Sequence, residues 1–360
     1  MIVNNPFNPT FGDVPKIFLR SQDQDYYEQL IEIIENSDFA RSIFISGVRG
    51  SGKTAFMMKV AQHFANDPSY YYVDLLNKPG MVTNFARLLS YAMGPQASSV
   101  LQSINSFGIG NLNISRDTES PNIDVTIIKL MNQIKKSGKR ILVTLDEVDN
   151  SAPIKDFVQV FNAMKRQNCP IFLLMTGLPD LILNLQKDDK LTFLLRSDKI
   201  EMTPLEKLDI FQAYKRVFKC SSSVATEMFR MTEGYSYAFQ LLGYLLYERM
   251  QGKIPERADL QRVKSAYQEQ LFNNAYQKIF QDLSANDQQY LYAVCGHHDL
   301  GEIAKIMGKS NVYVAQYRRR ALERHLIRPA AYGYVDFTLP YFEDYLMATK
   351  NIDSIFYLGM

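Results

Sequence analysis

Gly47-Val48-Arg49-Gly50-Ser51-Gly52-Lys53-Thr54 is the stretch from which the rest of this chain can be read. It fits the pattern G-x-x-x-x-G-K-[ST]. Its flanks agree with it. Residues 42–46, SIFIS, form a short apolar run that reads as a strand, and residues 55–65, AFMMKVAQHFA, follow with helical spacing. Strand, glycine loop and helix in that order make an anion cradle. Glycines let successive backbone N–H groups turn inward, and the N-terminus of the helix adds partial positive charge. Lys53 would reach the outer phosphates of a bound polyphosphate and Thr54 would offer its hydroxyl to Mg2+, while the backbone from Gly47 to Ala55 closes around them.

Such a loop needs an acid at the end of a neighbouring strand. Residues 141–147, ILVTLDE, supply it: Asp146 would hold Mg2+ and Glu147 would orient the attacking water. A third apolar run, Ile171 to Gly177, ends in Thr176. That residue either senses the terminal phosphate and positions the water, or only closes its strand. Asp149 reads as a turn or cap residue. Buried apolar strands alternating with helices predict a parallel sheet covered on both faces, an α/β class. A weak alternation at FGIGNLNIS (107–115) suggests a further short strand inside a Ser/Asn/Gly-rich stretch.

The chain has 360 residues, 46% hydrophobic and 22% charged, which excludes a largely disordered protein and leads us to expect more than one domain. No apolar run reaches membrane-spanning length and no secretory signal is visible, so no membrane partner is expected. Three widely separated cysteines suit a reducing, cytoplasmic setting. Cys295, His297 and His298 lie close together but lack the second cluster a metal site would need. The net charge of +2 is unevenly spread. Residues 300–328 hold seven Lys/Arg against two acids, a local +5 that leaves −3 for the remainder.

From Leu205 the pattern turns wholly helical, and from Tyr276 it shortens again. The expected divisions are 1–204, a phosphate-loop core; 205–275, a helical lid; and 276–360, a winged helix-turn-helix with a tail. In the last, Leu300–Gly308 would be the second helix, Lys309 to Asn311 the turn and Val312–His325 the recognition helix. The segment LIRPAAYGYVDFTLP would form the wing. Asn311, Gln316, Arg319, Arg320 and Arg324 fall on the face away from Val314, Tyr317, Ala321 and Leu322. They could therefore meet the phosphates and base edges of double-stranded DNA, or form a solvated or protein-binding face.

These motifs, in this order, resemble an AAA+-type ATPase. The likeness is greatest to the archaeal-type ATPases and the origin-recognition, replication-initiator branch, which overlap in pattern with STAND ATPases. The resemblance implies a P-loop NTPase αβα sandwich, ATP or ADP with Mg2+ as cofactors, and ATP hydrolysis under the control of a lid. It also implies that Arg196, within LTFLLRSDKIEMTPL, acts on a neighbouring subunit's nucleotide and so points to self-association; a surface arginine or an internal ion pair is the alternative. Phe18 to Gln22 resembles the segment near adenine. The lid turn departs from the family: it reads Gly234-Tyr235-Ser236-Tyr237, with neither proline nor arginine, and Arg230 is a weak substitute. Three readings stay open at this point. They are a nucleotide-controlled DNA-binding ATPase, a STAND-like signalling or defence switch whose winged helix contacts protein, and a nucleotide-binding module with negligible turnover.

Overall fold

The computed structural model describes residues 5–19, 26–97 and 123–357. The segment 107–115 and residues 20–22 of the adenine-side expectation lie outside the described residues. The chain divides into two compact units.

One unit comprises residues 26–46 and 53–201. In chain order it holds α1 (Tyr26–Glu35), β1 (Arg41–Ser46), α2 (Lys53–Ala65), β2 (Tyr70–Leu75), α3 (Met81–Met93), α4 (Ile123–Ser137) and β3 (Arg140–Leu145). It continues with α5 (Ala152–Arg166), β4 (Ile171–Gly177), α6 (Pro179–Gln186), a 3-10 segment (Asp189–Arg196) and β5 (Asp198–Glu201). Five parallel strands lie in the order β2-β3-β4-β1-β5. Every residue of β4 is buried, as is all of β3 after Arg140. This is why both strands read as unbroken apolar runs rather than as an alternation. On α2, Phe56, Met57, Val60, Ala61 and Phe64 make the buried face. The register matters for function. Ser46 pairs with Gly177, and Leu145 pairs with Met175. The C-terminal ends of β1, β3 and β4 therefore share one edge of the sheet, where ligands gather in parallel α/β sheets.

The other unit comprises residues 47–52 and everything from Met202, together with the N-terminal segment. Its helices are α7 (Lys207–Phe218), α8 (Ser222–Thr232), α9 (Ser236–Met250) and α10 (Arg257–Leu271), and a π-helical turn (Phe272–Tyr276) leads into α11 (Gln277–Gln281). Then come α12 (Ala285–Val294), α13 (Leu300–Met307), α14 (Asn311–Glu323), an antiparallel hairpin of β6 (Ile327–Pro329) and β7 (Val335–Phe337), and α15 (Phe342–Tyr357). One apolar core runs through this unit from Ile210 to Leu346, with no break near residue 275.

That core also takes in Phe7. The expectation put the N-terminal segment with the sheet; the structure packs residues 5–19 among the helices instead. The Gln240 amide holds the segment at two points, accepting from the Asn8 N–H at 3.0 Å and donating to the Ile17 carbonyl at 2.9 Å. Asn5 donates to Glu248 Oε1 at 2.8 Å and to the Tyr244 carbonyl at 3.2 Å. In the C-terminal part, Gly308 ends α13 at φ 62, as expected of a glycine stop. Helix α14 starts one residue earlier than its sequence suggests, because the Ser310 hydroxyl caps it by accepting the Tyr313 N–H at 3.3 Å.

Candidate functional site

The acid side of the site is built on the ends of β3 and β4 in the sheet unit. Thr54 Oγ1 donates to the Asp146 carboxylate, lying 3.0 Å from each oxygen. Thr176 Oγ1 donates to Asp146 Oδ1 as well and accepts the Glu147 N–H at 3.1 Å. The Thr176 carbonyl takes the Val148 N–H at 2.8 Å. Thr176 is fully buried, so a single threonine at the end of β4 fixes the turn that follows β3. Its hydroxyl donates to Asp146 and accepts the Glu147 N–H, so Thr176 is bonded to both acids. Glu147 sits at φ 52, a left-handed conformation that non-glycine residues rarely adopt, and is exposed. The buried Thr176 behind it over-determines that backbone.

Asp149 behaves as a turn residue. It accepts the Ser151 N–H at 3.0 Å and the Asn77 side-chain amide at 3.1 Å. Burial pushes its carboxyl up, and the hydrogen bonds from Ser151 and Asn77 more than offset this, holding it below the usual carboxylate range. Arg196 ends the 3-10 segment just before β5 and is exposed.

The loop side comprises residues 47–52. The Ser51 N–H closes a turn onto the Val48 carbonyl at 3.2 Å. Ser51 is 6% exposed, and its hydroxyl is buried without a hydrogen-bond partner among the described residues. An orphaned buried hydroxyl costs about 1–3 kcal/mol, which an anionic oxygen in the loop would relieve. A Cβ built on Gly47 would come within 2.6 Å of that same Oγ. The loop therefore fits a phosphate. On the acid side, a hydroxyl and a carboxylate are hard oxygen donors of the kind Mg2+ takes, and Mg2+ keeps water in its remaining positions.

Sequence reasoning missed the contacts on the outer side of this loop. Tyr235 Oη donates to the Arg49 carbonyl at 2.7 Å, and the Tyr237 N–H donates to the Gly50 carbonyl at 3.0 Å. The Phe11 ring stacks on Tyr237 at 4.6 Å, and the Arg49 guanidinium lies 5.9 Å from the centre of Phe11. The only sequence signal was the GYSY turn, which reads as a gap in a known pattern.

In the C-terminal part, Asn311, Gln316 and Arg319 are exposed on α14 and Arg324 is half-buried at its end. Val312 is 84% exposed, and Tyr332, in the hairpin turn, is completely exposed. Arg320 differs from the expected outward set. Its Nε and Nη2 reach Asp287 Oδ1 at 2.8 and 2.7 Å, and its guanidinium lies 4.5 Å from the centre of the Tyr317 ring. Helical spacing alone placed it outward, but an acid 33 residues earlier on α12 turns it in. Arg319 makes a looser 3.6 Å pair with Glu323 and stays 74% exposed.

A family described as a domain of unknown function, DUF8462, matches residues 273–346. No curated protein matches the chain. Among solved structures, the Walker-type ATPase of Pyrococcus abyssi is similar at a TM-score of 0.62 and 15% identity, covering 92% of this chain and 96% of that one. The ORC2 protein of Aeropyrum pernix, in ADPNP–ADP complexes, is similar at a TM-score of 0.62 and 12% identity, covering 96% of each. At such identities the likeness is one of fold. The chain has a P-loop NTPase α/β fold, with five parallel strands flanked by helices.

Proposed function

We propose that the chain binds ATP with Mg2+ and hydrolyses it slowly, and that its nucleotide state controls how a C-terminal winged helix engages double-stranded DNA, as a replication initiator-like or mobile-element maintenance protein would. The observation that carries the catalytic part is the hydrogen-bonded chain Thr54–Asp146–Thr176–Glu147 at the end of the sheet. Loop N–H groups and Lys53 would hold the phosphates. Thr54 and Asp146 would hold Mg2+, which supplies charge neutralisation on the phosphate oxygens. Glu147 orients a water for in-line attack on the terminal phosphorus. The bond to the ADP oxygen breaks, and the water's proton leaves toward the Glu147 carboxylate.

The direct test is titration of the full-length protein with a fluorescent ATP analogue. The wild type should saturate, and Lys53→Ala should weaken binding at least about 30-fold, since a charge-assisted contact to phosphate is lost. Equal affinity in the two proteins would overturn the site assignment.

The DNA part draws support from the exposed basic and polar residues of α14 beside a hairpin with an exposed tyrosine. We expect Arg319→Ala to weaken duplex binding several-fold and to lower the salt slope by about one, the signature of one lost phosphate contact. Arg320→Ala should instead lower the melting temperature, because Asp287 loses its partner, with duplex affinity changed by less than about twofold. Fluorescence anisotropy over a salt series reads the first effect and calorimetry the second. The pairing of Arg320 inside the protein favours one second reading, a STAND-like switch whose C-terminal part meets protein. Absence of duplex binding in every nucleotide state would decide for it.

A further inference from the structure

We propose that Tyr235 and Tyr237 latch the helical lid onto the outer side of the phosphate loop, and that this latch, in place of a lid arginine, holds the loop in the form that receives the nucleotide. It rests on the nucleotide reading above and assigns the coupling that the sequence lacked. The first N–H groups of a helix have no partner inside it. Helix α9 begins at Ser236, and its Tyr237 N–H is met by the Gly50 carbonyl at 3.0 Å. The neighbouring Arg49 carbonyl receives the Tyr235 hydroxyl at 2.7 Å. A phosphate is cradled by the N–H side of such a loop, and a latch on two of its carbonyls uses none of its N–H groups. It also fixes the peptide planes that aim them.

Both tyrosines are held in place for this. Tyr235 is 4% exposed, and burial keeps its phenol protonated, hence a donor. The Tyr237 hydroxyl accepts from the Asn274 amide at 3.0 Å, and its ring is stacked by Phe11. The latch also accounts for a residue that the phosphate motif leaves free. Gly50 occupies an x position of G-x-x-x-x-G-K-[ST], yet it sits at φ 76. A Cβ there would meet Tyr235 Oη at 2.2 Å, its Cζ at 2.8 Å and Tyr237 Cβ at 3.1 Å. The close approach of the lid turn requires glycine at this position.

The test uses four full-length proteins: wild type, Tyr235→Phe, Gly50→Ala and the double variant. Tyr235→Phe keeps the buried ring and removes only the donor. It should raise the KM for ATP about fivefold and leave kcat within about twofold, because the latch orients the cradle and touches neither Glu147 nor the water. Gly50→Ala should weaken binding of the fluorescent ATP analogue more, at least about 30-fold, through the clash and the strained φ. Adding Tyr235→Phe to Gly50→Ala removes the atom closest to the new methyl. The double variant should then bind more tightly than Gly50→Ala alone, although Tyr235→Phe weakens the wild type. That reversal of sign is a property of direct contact. Additive losses, or a fall in kcat without a change in KM for Tyr235→Phe, would overturn the latch. Absence of analogue binding by the wild type would instead overturn the nucleotide reading. Melting of the same four proteins without nucleotide would then decide the latch, with the same reversal in melting temperature supporting it and additivity overturning it.

Discussion

Glu147→Gln is expected to lower kcat for ATP hydrolysis by about two orders of magnitude or more while leaving nucleotide affinity within about threefold. The amide keeps the volume and planarity of the carboxylate, so the exposed side chain still occupies the same space at the end of β3. In the proposed mechanism it loses the basic oxygen that accepts the water's proton. The backbone at residue 147 should not move, because its N–H is fixed on Thr176 Oγ1 and the next N–H on the Thr176 carbonyl. Asp146 keeps both of its hydroxyl donors. Steady-state turnover and analogue titration on the same preparation separate the two effects. A kcat unchanged in this variant would mean that another group activates the water or that turnover is not the purpose of the site. Such a result would favour the nucleotide-binding module without catalysis.

The sheet unit was legible in the sequence because its physics is local. Buried parallel strands read as apolar runs, and the acid pair is two consecutive residues; the glycine loop of the other unit is as local, a motif of eight consecutive residues. Thr176 was legible as a position, at the end of β4. Its hydrogen bonds were not, since they depend on the pairing of β3 with β4, which puts Met175 beside Leu145. The other unit was legible as helices and a hairpin, and what it does with single side chains was not. Arg320 has the spacing of an outward residue, but Asp287 claims it from another helix. Tyr235 and Tyr237 lie some 186 residues from the loop they hold, and no periodicity announces such a contact. The N-terminal segment is a further case. It is polar and interrupted by prolines, yet its Phe7 packs against rings more than 200 residues away.

That phenylalanine carries the second large expected effect. Phe7 is 2% exposed and lies against the rings of Tyr214, Phe218 and Phe239 at 5.8, 5.7 and 5.6 Å. Helix α9 makes room for it with Gly243, where a Cβ would meet the Phe7 ring at 2.4 Å. Phe7→Ala should therefore cost about 3–5 kcal/mol of local stability, the transfer of a buried ring plus the cavity it leaves. The loss should appear in α9 as amide hydrogen exchange faster by roughly two to four orders of magnitude. Gly243→Ala alone should also destabilise, because the methyl runs into the Phe7 ring in a packed core. In the Phe7→Ala background the same methyl enters the vacated space and improves the helix propensity of α9, so there it should slow exchange. Exchange in α9 that ignores Phe7→Ala would mean that the segment does not pack on this helix in solution. The bracing of Tyr237 by Phe11, four residues further along the same segment, would then fall with it.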